Sequence, residues 1–521
     1  VTDAGPRVAL LLDSLLVPRY VRALLEGLAA PPVVVVLSRT PRPDAPGARH
    51  ALYRLYRAAD RRLFAPPKGA LAPVDVSDLL RGCPVVEVEP IRGRDSDFLH
   101  PKDADRVRAF RPDVALRFGF LLAAGEMATL APNGVWSLRL DGVTEVVAGA
   151  PTTEIALEAR DGAGTRTLAR SVGQTDRRSA ARNLEAAAWK APHLFLRKLK
   201  ELARDGRVTG EPAAGAPPDP PPRNLRMAAL SAGHAARYLR DKLVHLATAE
   251  QWYLAYRFED GPRAPTDFAG MTPWIPPRDR FWADPFPFEH EGRFYVFLEE
   301  LLYRDWRGRI AVAEVDPLRG PSEPRTVLER DHHLSYPFVF RWQDRIYMMP
   351  EMSAARRVAL FRCRAFPHEW EEEHVLLDGV DAVDATLEEV DGRWWMFVNI
   401  GQPGADNCDE LHLFHADTPL GPWRPHPRNP VRSDCRAARP AGRLFRWNGQ
   451  LYRPAQNCGP EYGWSIVLHR VERLDTEDYR EERAGEITAW RKGAERTHTM
   501  NRCGKLFVAD LLRRRCRLRR R

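Results

Sequence analysis

The chain has 521 residues, 44% of them hydrophobic, and 79 Lys and Arg against 70 Asp and Glu leave a net charge of +9. That length exceeds one ordinary domain and implies two to four, at about 100–200 residues each. The seven cysteines are scattered with no CxxC pair, which excludes a disulfide framework and a zinc ribbon and sets the expectation of a reducing cytoplasm.

The opening "VTDAGPRVALLLDSLLVPRY" carries a short apolar stretch broken by Asp13, with no small-residue cleavage site after it. It reads as a first buried strand and not as a signal peptide. Strand and helix patterns then alternate: "RVALLL", a helix over 19–29, the Val-rich "PVVVVLSR", a helical "ARHALYRLYRAADRRLF", "PVVEVEP", a helix near "PKDADRVRAF", and "DVALRFGF". Apolar strands separated by helices predict a parallel sheet covered on both faces. "NGVWSLRL", "TTEIALEARDG" and "GTRTLARSV" read as further strands. A helix over 179–203 closes this domain, capped by Ser179 and expected to break or kink at Pro192. No GxGxxG follows the first strand, so a dinucleotide is not indicated.

The domain plan is therefore an α/β domain over 1–203, a Pro/Gly-rich linker over 204–224, and a connecting helix over 225–249. An all-β domain follows over 250–512, and a basic tail over 513–521. The linker "RDGRVTGEPAAGAPPDPPPRN" lacks hydrophobic periodicity and reads as semi-rigid. The tail "RRRCRLRRR" holds seven arginines and reads as a solvated, disordered end able to touch anionic membrane. No apolar run reaches the ~20 residues of a membrane span. The remaining charge is near balance, without the basic stripe of a nucleic-acid binder.

Between 250 and 512 a hairpin recurs, with turns at Gly292, Asp344, Gly392, Gly449 and Gly504. A repeat of roughly 50 residues is the period of a β-propeller blade. The expected count is five, with "EQWYLAYRF" before the first repeat completing the last blade. Asp284, Tyr336 and Asp384 each stand eight positions before their turn. Arg439 lies two further out in the fourth repeat, on the same strand face, and His498 lies near the point in the fifth. Glu299, Glu351, Asn399 and Gln456 stand seven positions after the turn, while Glu300 has no such partners and is expected at the surface.

If the innermost strands surround an axis, these two rings converge. Paired carboxylates with an Arg, a His and a Tyr suit glycosidic-bond chemistry. One acid protonates a leaving oxygen, and one carboxylate activates water or a hydroxyl. Alternatively, Asp and Asn are ordinary turn formers and could bond backbone between blades. No metal site is indicated.

The stretches "WADPF", "YPFVF…IYMMPE", "DATLEE…WWMF" and "RPAGRLF…LYRPAQNCGPEYG" resemble the N-terminal propeller domain of plant glucosamine inositolphosphorylceramide transferases and bacterial relatives. That domain is similar to the five-bladed propellers of glycoside hydrolase family 43. The resemblance implies that Asp284 is a general base, Asp384 a pKa-tuning residue and Glu351 a general acid. Tyr336, Arg439, His498, Glu299, Asn399 and Gln456 are then substrate-binding residues. Over residues 7–203, "DVALRFGF" followed by "APNGVWSLRL" resembles the formyltransferase fold, a Rossmann-type α/β domain. The family's G-x-x-N-x-H strand would fall here with Ser137 in place of Asn and Arg139 in place of His. Formyl-tetrahydrofolate is therefore not expected, and the domain is expected either to bind a nucleotide-sugar or simply to dock the propeller.

The functional expectation is a cytoplasmic, bacterial carbohydrate-active protein, in membrane contact if the basic tail engages lipid. It makes or breaks a glycosidic bond in polysaccharide or glycoconjugate metabolism, on a carbohydrate or glycolipid substrate. The alternatives are a non-catalytic glycan-binding scaffold and a sugar N-formyltransferase with an altered triad.

Overall fold

The computed structural model describes residues 5–40, 48–93, 96–213, 221–259, 261 and 263–517. The chain divides into two compact units, Val1–Tyr238 with Pro403–Ala405, and Leu239–Gln402 with Asp406–Arg521.

The first unit is built on an eight-stranded sheet. Val85–Val88, Val34–Ser38, Val8–Leu12, Val114–Arg117 and Val135–Leu140 pair in that order, all parallel. The sheet then turns antiparallel through Thr152–Asp161, Gly164–Gln174 and Glu211–Pro212. The expected all-parallel sheet is thus corrected to a mixed one. The half rich in Val and Leu is parallel and its central strand is fully buried. The half joined by the tight "DGAG" connection is antiparallel, because a short turn can only return the chain beside itself.

The helix Ala180–Asp205 runs through Pro192 instead of ending there. Its start is as expected, with Ser179 Oγ accepting from the Arg182 amide at 3.3 Å. The unit also reaches beyond the expected boundary at 203. Glu211–Pro212, from the stretch read as linker, adds an edge strand. Met227 is fully buried against Tyr53, Val143, Val146 and Val147. That anchors the start of the helix Asn224–Ala247 within this unit.

The second unit is a five-bladed β-propeller, five antiparallel sheets of four or five strands. Blade I begins with Arg280–His290 and Arg293–Leu302, blade II with Ser335–Trp342 and Arg345–Glu351, and blade III with Ala382–Val390 and Arg393–Ile400. Blade IV holds Phe445–Trp447 and Gln450–Asn457. Blade V is assembled from both ends of the unit: Thr248–Phe258 pairs over its whole length with Leu506–Cys516, and Met500–Cys503 pairs on the same strand. The early strand completes the last blade as expected.

Hairpin chemistry is local. Both turn residues of Glu291-Gly292, Asp391-Gly392 and Asn448-Gly449 have positive φ, the conformation that matches a two-residue turn to strand twist. Phe286, Phe297, Phe338, Phe361 and Phe397 are buried completely, each contributing about 1.5–3 kcal/mol by its removal from water.

The basic tail is corrected in part. Arg513 to Cys516 belong to the last strand. Arg513 donates to Gln251 Oε1 at 2.8 Å, Arg514 to Glu495 at 2.7 Å, Arg515 to the Arg278 carbonyl at 2.7 Å and Arg517 to the Thr248 carbonyl at 2.8 Å. These cations are engaged by blade V because the strand they extend has a full-length partner. Residues 518–521 lie outside the described residues. Among the described residues, no helix is long and apolar enough to cross a membrane.

Candidate functional site

Three of the residues picked from the repeat share an unusual backbone. Asp284, Tyr336 and Asp384 have φ of 48°, 44° and 53°. Each sits where the innermost strand slips against the second, between 283 and 286, 335 and 338, and 383 and 386. A bulge of this kind places two residues opposite one and re-aims the side chain. A positive φ is uncommon for Asp and a genuine outlier for Tyr, costing on the order of 1–3 kcal/mol. Three such bulges repeat one strained position at equivalent points of blades I, II and III.

Asp284 is buried at the junction of blades I and V. Its Oδ1 accepts from Thr499 Oγ1 at 2.6 Å and lies 3.5 Å from His498 Nε2, and its Oδ2 accepts from the Tyr336 amide at 3.3 Å. His498 Nδ1 stands 2.8 Å from Asp510 Oδ2. Asp510 also accepts from the amides of His498 and Thr499, both at 3.0 Å, and of Asp284 at 3.2 Å. Trp252 packs on the imidazole with ring centroids 4.1 Å apart. Burial pushes the Asp284 carboxyl up to about 7 against the opposing charge of His498. Burial alone would lower His498, but the charges of Asp510 and Asp284 raise it to about 9. At neutral pH His498 is a cation held between two carboxyl groups.

A second cluster joins blades II, III and IV. Arg439 Nε donates to Asp384 Oδ2 at 2.6 Å, its Nη2 to Glu351 Oε2 at 3.3 Å, and its Nη1 to Cys408 Sγ at 3.8 Å. Gln456 Nε2 donates to the same Asp384 oxygen at 2.8 Å. Burial, and then the charge of Asp384, push Glu351 well above the ordinary carboxylate range, with Arg439 opposing. Tyr462 spans both clusters. Its ring lies 4.9 Å from the Arg439 guanidinium carbon and 5.4 Å from the His498 ring.

The remaining ring members divide. Glu299 is buried with Oε1 3.2 Å from His333 Nε2. Asn399 is fully buried, and neither atom of its amide has a hydrogen-bond partner among the described residues. Tyr336, expected to bind substrate, commits its hydroxyl to internal partners. It is fully buried, its hydroxyl lies 2.8 Å from Thr386 Oγ1, and it accepts from the Gly442 amide at 2.8 Å. Glu300 is corrected from surface to interior. It accepts from Trp282 Nε1 at 3.2 Å and from Arg280 at 3.0 Å, because neighbouring blades cover both faces of the second strand.

Sequence reasoning missed Asp510, Thr499, His333 and Tyr462. The available signal for Asp510 was a single carboxylate inside the apolar run "LFVADLL". It also missed that Asp284, His498 and Asp510 offer ligand atoms within 4.8 Å of one another, a set able to hold a metal ion. Both carboxylates also accept from internal donors, as described, and the imidazole stands at ion-pair distance from each.

In the first unit, Ser137 is buried mid-strand. Arg139 is pinned across strands to Glu158 at 2.7 Å and Glu154 at 2.6 Å. Of the two positions that resemble the formyltransferase motif, Arg139 carries ion pairs to Glu154 and Glu158.

The family model described as glucosamine inositolphosphorylceramide transferase 1, N-terminal, matches residues 275–512, all but Pro403–Ala405 of which belong to the second unit. Two curated relatives are named glucosamine inositolphosphorylceramide transferase 1. The protein from Oryza sativa subsp. japonica is 38% identical over 205 residues, 39% of this chain and 27% of its own. The protein from Arabidopsis thaliana is 36% identical over 221 residues, 41% of this chain and 28% of its own. The chain thus spans little more than a quarter of the length of the curated relatives it matches. These relatives are plant proteins, so the bacterial setting rests on the sequence reading alone. Among solved structures, the catalytic domain of a GH62 α-L-arabinofuranosidase from Coprinopsis cinerea aligns with a TM-score of 0.35 at 13% identity, covering 51% of this chain and 96% of that one. A likeness that loose carries no functional argument.

Proposed function

We propose that the second unit is a carbohydrate-active domain that makes or breaks a glycosidic bond at the propeller axis. Glu351 is the acid, Asp284 the base, and Asp384 with Arg439 sets the proton affinity of Glu351. The observation that carries this reading is the contrast between two buried carboxyl groups. Burial, and then the charge of Asp384, raise Glu351 well above the ordinary carboxylate range, with Arg439 opposing. Asp284 sits near neutrality, about 7, beside a cationic His498. Paired groups whose environments push their proton affinities apart are what acid and base roles require.

The proposed proton path uses these two carboxyl groups. Glu351 gives its proton to the leaving oxygen. Asp284, steadied by Thr499 and His498, takes one from the attacking water or hydroxyl. The name of the relatives makes transfer of a sugar to a glycolipid acceptor the first reaction to assay, and hydrolysis the second. Asp284→Asn and Glu351→Gln should each lower turnover by two or more orders of magnitude while leaving the thermal transition in place. Full activity in the Asp284→Asn protein would end the proposal.

One observation favours a second reading, a glycan-binding propeller without turnover. Both oxygens of Asp284 are already engaged by Thr499 and the Tyr336 amide. Glycan binding that survives Asp284→Asn, with no turnover of any donor or acceptor by the wild type, would select it.

A further inference from the structure

Four residues along the chain from Arg439, the polypeptide contributes to a different opening. A cavity of about 120 Å³ lies between the hairpins of blades IV and V and is lined by Arg263, Arg443, Arg446 and Arg502, with Trp447 and Phe507 in its wall. None of its lining residues is acidic. Arg263 and Arg502 have carboxylate partners, Asp267 at 3.3 Å and Glu259. Arg443 and Arg446 have none within ion-pair distance among the described residues.

The Arg443 side chain is committed only in part. Its guanidinium carbon lies 4.3 Å from the Phe338 ring centre and 5.7 Å from that of Phe286, and it donates to the Val339 carbonyl. Burial draws its proton affinity below the ordinary arginine value. An unpaired guanidinium held in low-dielectric surroundings is costly unless an anion meets it. Arginine is also the side chain best shaped for a phosphate, through two parallel N–H bonds. Both arginines act on the carboxyl of Glu388. Burial pushes that carboxyl up to about 7, which leaves the cations incompletely neutralised at neutral pH.

We propose that this cavity is an oxyanion site that takes the phosphate group of a small ligand, with Arg443 and Arg446 on the phosphate and Trp447 and Phe507 against an apolar carrier. The volume suits a compact headgroup, and the aromatic wall favours an organic phosphate over the free ion. The site is independent of the glycosidic-bond reading, since it shares no residue with the carboxylate clusters.

The test uses the whole chain with inorganic phosphate and phenyl phosphate, at constant ionic strength set with sodium chloride, by calorimetry and thermal shift. Phenyl phosphate should bind saturably and more tightly than inorganic phosphate, and raise Tm by an amount that grows with its concentration. Arg446→Ser, on an exposed and unpaired side chain, should weaken binding by about tenfold, the size of one charge-assisted contact. Trp447→Ala should remove the preference for phenyl phosphate over the free ion. Cosedimentation with phosphatidic acid vesicles that Arg446→Ser abolishes would support the same chemistry with a lipid as its source. Undiminished phenyl phosphate binding by Arg446→Ser, or no saturable binding of any of the three probes, would overturn the proposal.

Discussion

Arg439 Nε and Asp384 Oδ2 meet at 2.6 Å, both side chains buried and on adjacent blades. The same guanidinium reaches Glu351, so one cation serves two carboxyl groups from two further blades. A buried charge is expensive once its partner is removed. Arg439→Met should therefore destabilise the second unit by about 3–5 kcal/mol, read as a lower urea midpoint with unchanged slope. Arg439→Lys should recover only part of this, because an ammonium lacks the planar fork. A loss below about 1 kcal/mol would show that the bridge behaves like a solvated pair.

Stability should depend on pH with a definite sign. The folded protein holds a proton on His498 up to about 9, above the ordinary imidazole value of 6.5. The stabilisation is present below 6.5 and lost as pH rises through 9. Asp284, raised from 3.8 to about 7, acts in the same direction over a lower window. Thermal scans should show Tm falling from pH 6.5 to 9, by on the order of 3 kcal/mol in unfolding free energy. His498→Gln should flatten that limb. A wild-type Tm that climbs over this range would contradict the arrangement of charges.

Thr499 gives a kinetic prediction. Its hydroxyl donates to Asp284 and so favours the charged carboxylate. If Asp284 is the base, the rate rises with pH through about 7. Thr499→Val should move that rising limb up by about one pH unit. A limb that stays in place would assign the titration to another group.

Asn399 separates stability from binding. Its buried amide has no hydrogen-bond partner among the described residues, a cost of about 1–3 kcal/mol in the protein alone. Asn399→Leu should leave stability unchanged or raise it, and should weaken substrate binding in KM or Kd. Weakened folding would instead mean that the amide serves the fold.

Tyr336 should show the opposite pattern. Tyr336→Phe removes the acceptor of the Gly442 amide and the contact with Thr386. About 1–3 kcal/mol of stability should be lost, with kcat and KM within twofold of wild type.

The hairpin spacing made the blades and their polar rings readable, because a fixed offset from each turn lands on the same strand face in every blade. Spacing could not reveal where a long side chain ends. Tyr336 shares the register and the strained φ of Asp284, yet its phenol reaches past the axis to Gly442. Asp510 stands six positions after its turn and not seven, so the rule that found Glu351 and Gln456 passed over it. Glu300 was misjudged because alternation implies an exposed face only in a sheet with one side to water. In the first unit, the parallel strands announced themselves by continuous Val and Leu runs. The antiparallel half has mixed, polar strands that fit many topologies.

Blade V has a consequence for how the protein is made. The pairing of Thr248–Phe258 with Leu506–Cys516 joins segments some 250 residues apart, and no shorter-range contact can substitute for it. Joining ends so distant carries the entropy of closing the whole ring, which slows folding. During translation at ~5–20 residues per second, four blades are complete while Asp284 still lacks His498, Thr499 and Asp510. A chain halted before residue 498 would carry the base without the groups that hold it, so the acid–base pair comes into being only with the final strand.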